Sequence, residues 1–144
     1  MENSSCNIDQ HLLNAYQETI YQVLDPLISI KIGVFNPVLN AFLRENDATT
    51  WAFITAWNPK SQLLSIQANN QRQKELTQKV KKAGFTYFIG EGIGKDLNWT
   101  PEQSLFILNI SKAKAVEFVR YFDQNTIVFG VQNEPPQLII TADQ

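Results

Sequence analysis

The stretch Trp51-Ala-Phe-Ile-Thr-Ala-Trp-Asn-Pro59 decides the fold of this chain, because it indicates a strand that is apolar on both faces. Large aromatic residues alternate with alanine and isoleucine, which is typical of a central strand with helices packed on its small-residue face. We therefore predict a strand over Thr50–Trp57. Its large-residue face must be covered by an N-terminal hairpin, by a helix or by a second subunit, and an uncovered face would mark a homodimer interface.

Outward from this strand, apolar periodicity and turn residues predict the remaining elements. Before it come a helix that begins near Ile8, a hairpin over 18–34 and a helix that begins at Asn36-Pro37. After it come a long helix to about Ala83, strands over Phe85–Ile89, Ser104–Ile110 and Thr126–Val131, a helix over about 115–122, and an edge strand over Leu138–Thr141. Handed crossovers favour an α+β fold with a ferredoxin-like β-α-β-β-α-β core over about 50–131, extended by the N-terminal helix, hairpin and helix. We interpret 1–144 as a single domain and expect residues 1–7 to be disordered.

Bulk composition limits the classes of protein and site. The 144 residues carry a net charge of −2 with a sequence pI of about 5.3, which argues against a dedicated nucleic-acid-binding protein. The single cysteine (Cys6) and the single histidine (His11) exclude a disulfide within the chain and Cys/His zinc sites. We predict no cofactor and no metal. No apolar run approaches about 20 residues and no signal peptide is recognisable, so we expect a cytoplasmic protein that does not contact membranes.

Polar residues are predicted to meet at one end of the sheet, where strand ends, a helix start and a helix exit fall together. The candidate binding residues are Asn58, Asn69, Arg72, Glu102 and Asn125. The apolar stripe of the long helix turns polar in the half that faces this end, and buried amides need partners. Three alternatives stay open: this half of the helix is solvated, the residues form an internal network, or they are helix caps. As caps, Asn58 and Thr100-Pro-Glu-Gln103 would start helices and Asn125 would stop one.

Two other features carry weaker predictions. Gly90-Glu-Gly-Ile-Gly94 follows a predicted strand but matches neither the dinucleotide-binding pattern nor the P-loop, so we predict a flexible loop or lid. Basic residues on the long helix, from Arg72 to Lys82, face a single glutamate, and a solvated helix face is the simplest interpretation. The carboxylates Glu91, Asp96 and Glu102 have no spacing that is diagnostic of a metal site.

Three segments resemble a bacterial family of unknown function, the domain-of-unknown-function 3293 family. They are Thr55-Ala-Trp-Asn-Pro59, the segment with Glu102 and Ser104, and Phe122-Asp-Gln-Asn-Thr-Ile-Val128. The resemblance covers most of the chain from about Tyr21 onward and implies a small, stand-alone bacterial protein, but no activity. One departure is Asp123, where the family pattern leads us to expect glycine.

The polar convergence favours a small-molecule-binding or regulatory domain. Asn58, Asn69, Arg72 and Asn125 would hold an anionic or amide-bearing ligand, with Glu102 orienting Arg72. The alternative is a protein–protein interaction module that uses an exposed aromatic sheet face or the basic helix. A metal-independent enzyme, in which a lone carboxylate acts as general acid or base, is the third hypothesis.

Overall fold

The computed structural model describes residues 10–96 and 98–144. The predictions for residues 1–7 and for a helix start near Ile8 lie outside this part of the chain. The described residues form an α+β structure with four α-helices and a seven-stranded antiparallel sheet that curls into a half-barrel. None of the described helices is long and apolar enough to cross a membrane.

The elements follow the predicted order, with shifted ends in the middle of the chain. The helices are α1 (Gln10–Glu18), α2 (Pro37–Glu45), α3 (Ile66–Lys82) and α4 (Lys112–Tyr121). The strands are β1 (Ile20–Val23), β2 (Ile28–Ile30), β3 (Thr50–Ile54), β4 (Tyr87–Ile93), β5 (Glu102–Leu108), β6 (Thr126–Val131) and β7 (Gln137–Ile140). The predicted hairpin, the helix that starts at Asn36-Pro37 and the edge strand are therefore present. Gly84, with φ +87°, ends α3 in the left-handed conformation as predicted.

The strand order in the sheet is β2-β1-β4-β5-β3-β6-β7, and neighbouring strands pair antiparallel. Helix α3 connects β3 to β4 past β5, and α4 connects β5 to β6 past β3. The predicted alternation of strands and helices over 50–131 is therefore present. The N-terminal hairpin extends the β4 edge of the sheet, and β7 extends the β6 edge.

The two faces of β3 pack against different partners, as the alternation of residue sizes predicts. Ala52 and Ile54 belong to a buried core that includes Leu76 of α3 and Val119 of α4. Because α3 and α4 share this core, both helices lie on the small-residue face of the sheet.

The aromatic face of β3 is covered within the chain itself. Trp51 and Phe53 are buried in a second core with Leu39 and Leu43 of α2 and Ile30 of β2. Trp51 has no exposed surface and Phe53 has 3%. An exposed aromatic sheet face, which the interaction-module hypothesis required in one of its forms, is therefore not present on this strand.

The predicted glycine loop is wrong, because Gly90 to Ile93 continue strand β4. Gly90 pairs with Val23 of β1 on one side and with Ser104 of β5 on the other. A Cβ atom at Gly90 would lie 2.8 Å from both the Phe53 ring and the backbone oxygen of Gln22. Glycine is required here by the close approach of β1 and Phe53 and not by a turn, which local sequence cannot distinguish.

The helix after β3 begins seven residues later than Asn58-Pro59 predicts. Strand β3 ends at Ile54, Pro59–Ser61 form one turn of 3-10 helix, and α3 starts at Ile66. Its N-cap is Ser65, whose Oγ accepts a hydrogen bond from the Ala68 N–H at 3.1 Å. Asn58 is the N-cap residue of the 3-10 turn, with Pro59 at its first position, but its side chain makes no capping bond and it does not start α3. The intervening segment packs beside the polar half of α3.

Candidate functional site

Asn58 lies at the centre of the polar end of the sheet. It is 3% exposed and takes a left-handed conformation with φ 45°, which asparagine tolerates better than most residues. Its side-chain oxygen accepts hydrogen bonds from Asn69 Nδ2 at 2.8 Å and from the Leu64 N–H at 3.1 Å. Its backbone N–H donates to Asn69 Oδ1 at 2.9 Å, and its Nδ2 donates to Glu102 Oε2 at 2.9 Å. Asn58 thus holds the segment that follows β3 against both α3 and β5.

Two glutamines hold the backbone just before Asn58 in the same way. Gln73 of α3 accepts a hydrogen bond from the Ala56 N–H at 2.9 Å through its Oε1. Gln124 donates from Nε2 to the Trp57 carbonyl at 2.9 Å. Both glutamines are buried, so the polar half of α3 forms the internal network that the sequence left as an alternative. A solvated half of α3 is wrong for Asn69 and Gln73, because they are 2% and 5% exposed.

Arg72 joins the same network through backbone carbonyl groups. Its Nε donates to the Ala56 carbonyl at 2.8 Å, and its Nη2 donates to the Phe122 carbonyl at the end of α4. The guanidinium also lies over the Phe122 ring, with Cζ 5.6 Å from the ring centroid. Glu102 makes no ion pair with Arg72 in the described residues, so the prediction that Glu102 orients Arg72 is wrong.

Glu102 carries a partly buried carboxylate. Its hydrogen-bond partners among the described residues are all neutral. Its Oε2 accepts hydrogen bonds from Asn58 Nδ2 and, at 3.4 Å, from the indole Nε1 of Trp99. No cationic group of the described residues lies within 4 Å of it. Burial raises the pKa of Glu102 above its ordinary value, and the hydrogen bonds from Asn58 and Trp99 offset part of this rise.

The left-handed residue after α4 is Asp123 and not Asn125. Asp123 has φ 56°, so the position where the family pattern favours glycine is one where glycine is conformationally suited. Asn125 instead contacts a second polar group at this end of the sheet. Its Nδ2 donates to the Tyr16 hydroxyl at 3.3 Å, and Tyr16 shares a hydrogen bond of 2.7 Å with Ser61 Oγ.

The structure therefore brings four predicted residues together and places the fifth beside them. Asn58, Asn69 and Glu102 are linked by direct hydrogen bonds, and Arg72 is one helical turn from Asn69 on α3. Asn125 lies in the neighbouring group, which contacts the same segment through Ser61. The side-chain oxygen and nitrogen of Asn58 both make hydrogen bonds within this network. In this structure Asn58 therefore stabilises the backbone at the end of the sheet.

Sequence reasoning missed four residues at this end: Tyr16, Tyr21, Ser61 and Trp99. The Tyr21 hydroxyl donates to the Tyr16 carbonyl at 2.8 Å, and burial, with a smaller contribution from the Glu102 charge, raises the pKa of Tyr21. One local feature of the sequence indicates a role for Trp99: it precedes Glu102 by three residues in a segment with few other apolar side chains. Tyr16 and Ser61 are distant in sequence, so nothing local links them to the site.

Two buried donors at this end have no partner in the described part of the chain, Trp57 Nε1 and Gln73 Nε2. Buried donors without partners are rare and costly in native proteins, and they are concentrated where function constrains the structure. Within residues 10–96 and 98–144, no group of three His, Cys, Asp or Glu side chains suited to a metal ion occurs.

The pKa of Glu102 predicts how stability depends on pH. An acid whose folded pKa is raised binds more protons in the folded state, so the contribution of Glu102 to stability falls as pH rises from about 4.5 through the folded pKa. Glu102→Gln keeps an oxygen that accepts from Asn58 and Trp99 but has no charge to desolvate. We expect its Tm to exceed that of wild type at pH 7, and the difference to disappear as the pH falls toward 4.5.

Thermal unfolding from pH 4 to pH 8 tests this expectation. Glu134→Gln, which changes an exposed carboxylate, is the matched control and should show no such pH-dependent gain. A Glu102→Gln protein that is less stable than wild type at pH 7 would show that the charged form of Glu102 is stabilised, contrary to its surroundings.

Comparisons with known proteins give one family match. A family model described as "Protein of unknown function (DUF3293)" matches residues 54–127, just over half of the 144 residues. The match runs from the end of β3 into β6 and contains all five candidate binding residues. No curated protein and no solved structure matches the chain.

Proposed function

We propose that this chain, which belongs to the DUF3293 family, is a small-molecule-binding domain whose site is centred on the Glu102 carboxylate at the polar end of the sheet. The observation that carries the proposal is a shielded carboxylate without a cation beside it in the described residues. Buried charges are normally paired, and an unpaired one costs stability. Groups of this kind are concentrated at binding and catalytic sites.

The chemistry of Glu102 selects the class of ligand. An ionised carboxylate only accepts hydrogen bonds, so it favours a ligand that presents N–H donors, such as an amine, an amidine or an amide. Asn58 and Trp99 hold Glu102 Oε2, while Oε1 accepts no hydrogen bond from the described residues. The free oxygen is thus the acceptor available to a ligand.

An anionic ligand has less support at this end of the sheet. Arg72 is the one cation among the five candidate residues, and its Nε and Nη2 donate to the carbonyl groups of Ala56 and Phe122. Two of the three Arg72 nitrogens are therefore already engaged, which leaves an anion mainly the N–H groups of Nη1. The amide-bearing half of the sequence-based prediction is the one we retain, and we extend it to amines and amidines.

The surrounding side chains suit a ligand with both apolar and polar parts. The Trp99 indole is partly exposed beside Glu102, and the hydroxyl groups of Tyr16 and Ser61 lie at the same end of the sheet. Aromatic rings next to a few fixed polar groups are typical of small-molecule sites.

We include in this proposal a ferredoxin-like description of the core and a bacterial, cytoplasmic setting. The order β4-β5-β3-β6, with two helices on one face, supports the first, and the family resemblance supports the second.

Acid–base catalysis by Glu102 is a second candidate function, favoured by its raised pKa. A general acid or base works best when its pKa is moved toward the working pH, and burial moves a carboxyl group in that direction. This function would use the same site and the same ligand class.

The experiment that tests the proposal is a thermal-shift screen at pH 7.5 with wild type, Glu102→Gln and the control Glu134→Gln. The panel contains amines, amidines and amides, with carboxylic acids and phosphate esters as the anionic comparison set. A ligand at a hundred times its Kd adds about 2.7 kcal/mol, which raises Tm by several degrees. We expect hits among the donor-bearing compounds that are retained in Glu134→Gln and lost in Glu102→Gln.

Two outcomes would contradict the proposal. Hits that shift wild type and Glu102→Gln equally bind at another place on the protein. Hits confined to carboxylic acids and phosphate esters show that a cation, and not Glu102, forms the site.

A further inference from the structure

A basic groove lies between α3 and α4 on the side of the helices that faces away from the sheet. It is open to solvent and has a volume of about 370 Å³. Its walls are Lys79, Lys82 and Ala83 from the end of α3, and Lys114, Phe118 and Tyr121 from α4, with Glu117 at the rim. We call this feature the α3–α4 groove. It shares no residue with the Glu102 site.

The α3–α4 groove combines ammonium groups with aromatic rings. Lys79 Nζ lies 4.1 Å from the Tyr121 ring centroid, and Lys114 Nζ lies 5.3 Å from that of Phe118. Lys114 is paired with Glu117 at 3.2 Å. Lys79 and Lys82 have no carboxylate within 4 Å among the described residues. Glu75, one turn before Lys79, accepts a hydrogen bond from the Tyr121 hydroxyl at 3.2 Å, so three lysines face two carboxylates and the charge of the groove stays positive.

The helix dipole does not explain why α4 has lysines in its first turn. Lysines in the last turn of α3 interact favourably with the negative end of that helix dipole. Lys112 and Lys114 lie in the first turn of α4, where the dipole disfavours cations, and no acidic residue accompanies them there. A chain of net charge −2 thus concentrates positive charge around one groove at a small cost in helix stability.

We propose that the α3–α4 groove binds an acidic peptide segment of a partner protein. Carboxylates of the peptide pair with Lys79 and Lys82, and an aromatic or aliphatic side chain packs on Phe118 and Tyr121. Charge complementarity and the apolar floor carry this assignment. The basic helix of the interaction-module hypothesis forms one wall of the groove.

The shape and charge of the groove favour a peptide over other ligands. Small-molecule sites bury most of the ligand surface, and an open groove between two helices does not. An extended segment needs few deep contacts, because several side chains bind along its length. Nucleic acid is disfavoured because a strand carries its phosphates beyond the three lysines of the groove, over a chain of net charge −2, whereas a short peptide can place its carboxylates at those lysines alone. Exposed ion pairs contribute little each, so binding is weak and decreases as salt is added.

Fluorescence anisotropy with a labelled peptide, Glu-Glu-Phe-Glu-Glu-Leu-Glu, tests the proposal at low and physiological salt. The test variant is Lys79→Glu/Lys82→Glu. The matched control is Lys74→Glu/Lys81→Glu, which changes net charge equally on the same helix but outside the groove. We expect affinity to fall by about tenfold or more in the test variant and by about twofold or less in the control. Lys79→Gln/Lys82→Gln and Lys74→Gln/Lys81→Gln repeat the comparison without new negative charge, should the reversals disturb folding.

Each other outcome overturns the proposal. Equal loss in the test and control variants means attraction to net charge alone. If the peptide does not bind, or if a peptide with every Glu replaced by Gln binds equally well, charge complementarity does not drive binding to the groove. Tighter binding of phosphatidylserine vesicles or single-stranded DNA than of the peptide, lost in Lys79→Glu/Lys82→Glu, assigns the groove to phosphate groups instead.

Discussion

Asn58→Ala is expected to lower the free energy of unfolding by about 3–4 kcal/mol, because it removes the acceptor and the donor at the centre of the polar end. The Leu64 N–H, Asn69 Nδ2 and Glu102 Oε2 all lose a partner, and each buried polar group left unpaired costs about 1–3 kcal/mol. Alanine also tolerates φ 45° less well than asparagine. Urea denaturation measures the loss, and amide exchange should show the largest change over residues 55–64.

Two other variants separate the parts of this effect. Ser65→Ala removes a single capping bond from the Ala68 N–H, so its expected cost is about 1 kcal/mol. Asn58→Asp keeps an acceptor for Asn69 but places a second carboxylate beside Glu102. Its stability should therefore fall further below wild type as the pH rises and both groups ionise. An Asn58→Ala protein within 1 kcal/mol of wild type would mean that water replaces the network at little cost.

Gly130→Ala is expected to lower the free energy of unfolding by about 3 kcal/mol, the upper part of the range for overpacked cores. Gly130 lies directly opposite Trp51 in the β3–β6 pair. A Cβ atom there would lie 2.3 Å from Trp51 Nε1 and 2.4 Å from Cε2. Because the Trp51 side chain has no exposed surface, its indole has no free space into which to move.

A double-mutant cycle shows whether the Trp51 indole is the cause. Trp51→Phe replaces the indole that Gly130→Ala would contact, so the double variant should be more stable than the sum of the two single effects predicts. Gly94→Ala, at a position with no atom within 4 Å of the added Cβ, serves as control and should change stability by less than about 0.5 kcal/mol. Additive losses in the cycle would place the strain in the β6 backbone instead. Denaturant unfolding measures the four proteins of the cycle and the Gly94→Ala control.

Elements that local sequence specifies were predicted within a few residues. The Asn36-Pro37 helix start, the Gly84 stop and strand Thr126–Val131 depend on capping, left-handed glycine and apolar alternation, and each depends on neighbouring residues alone. Errors arose where a distant segment changes the meaning of a local signal. Gly90 and Gly92 indicate a loop in isolation, but β1 and β5 make them part of a strand.

The convergence of Asn58, Asn69, Arg72, Glu102 and Asn125 was predicted because the order of strands and helices determines which ends meet. The partners of each side chain were not predicted, since hydrogen bonds depend on positions to within about 0.5 Å. The sequence around Asn58 predicts a cap or a ligand donor, and in the folded chain its polar groups bind Asn69, Leu64 and Glu102. Whether these residues bind a ligand stays a prediction.

Residue order and composition alone established an α+β chain, its family, a two-faced central strand and one polar end, because alternation and capping act over a few residues. Only the tertiary structure decided that α2 covers Trp51, that Arg72 binds carbonyl groups and not Glu102, and that Glu102 lies without a cation beside it in the described residues. These outcomes depend on contacts between segments far apart in the chain, and the free energy of such contacts depends on burial and exact distance, which no local pattern carries.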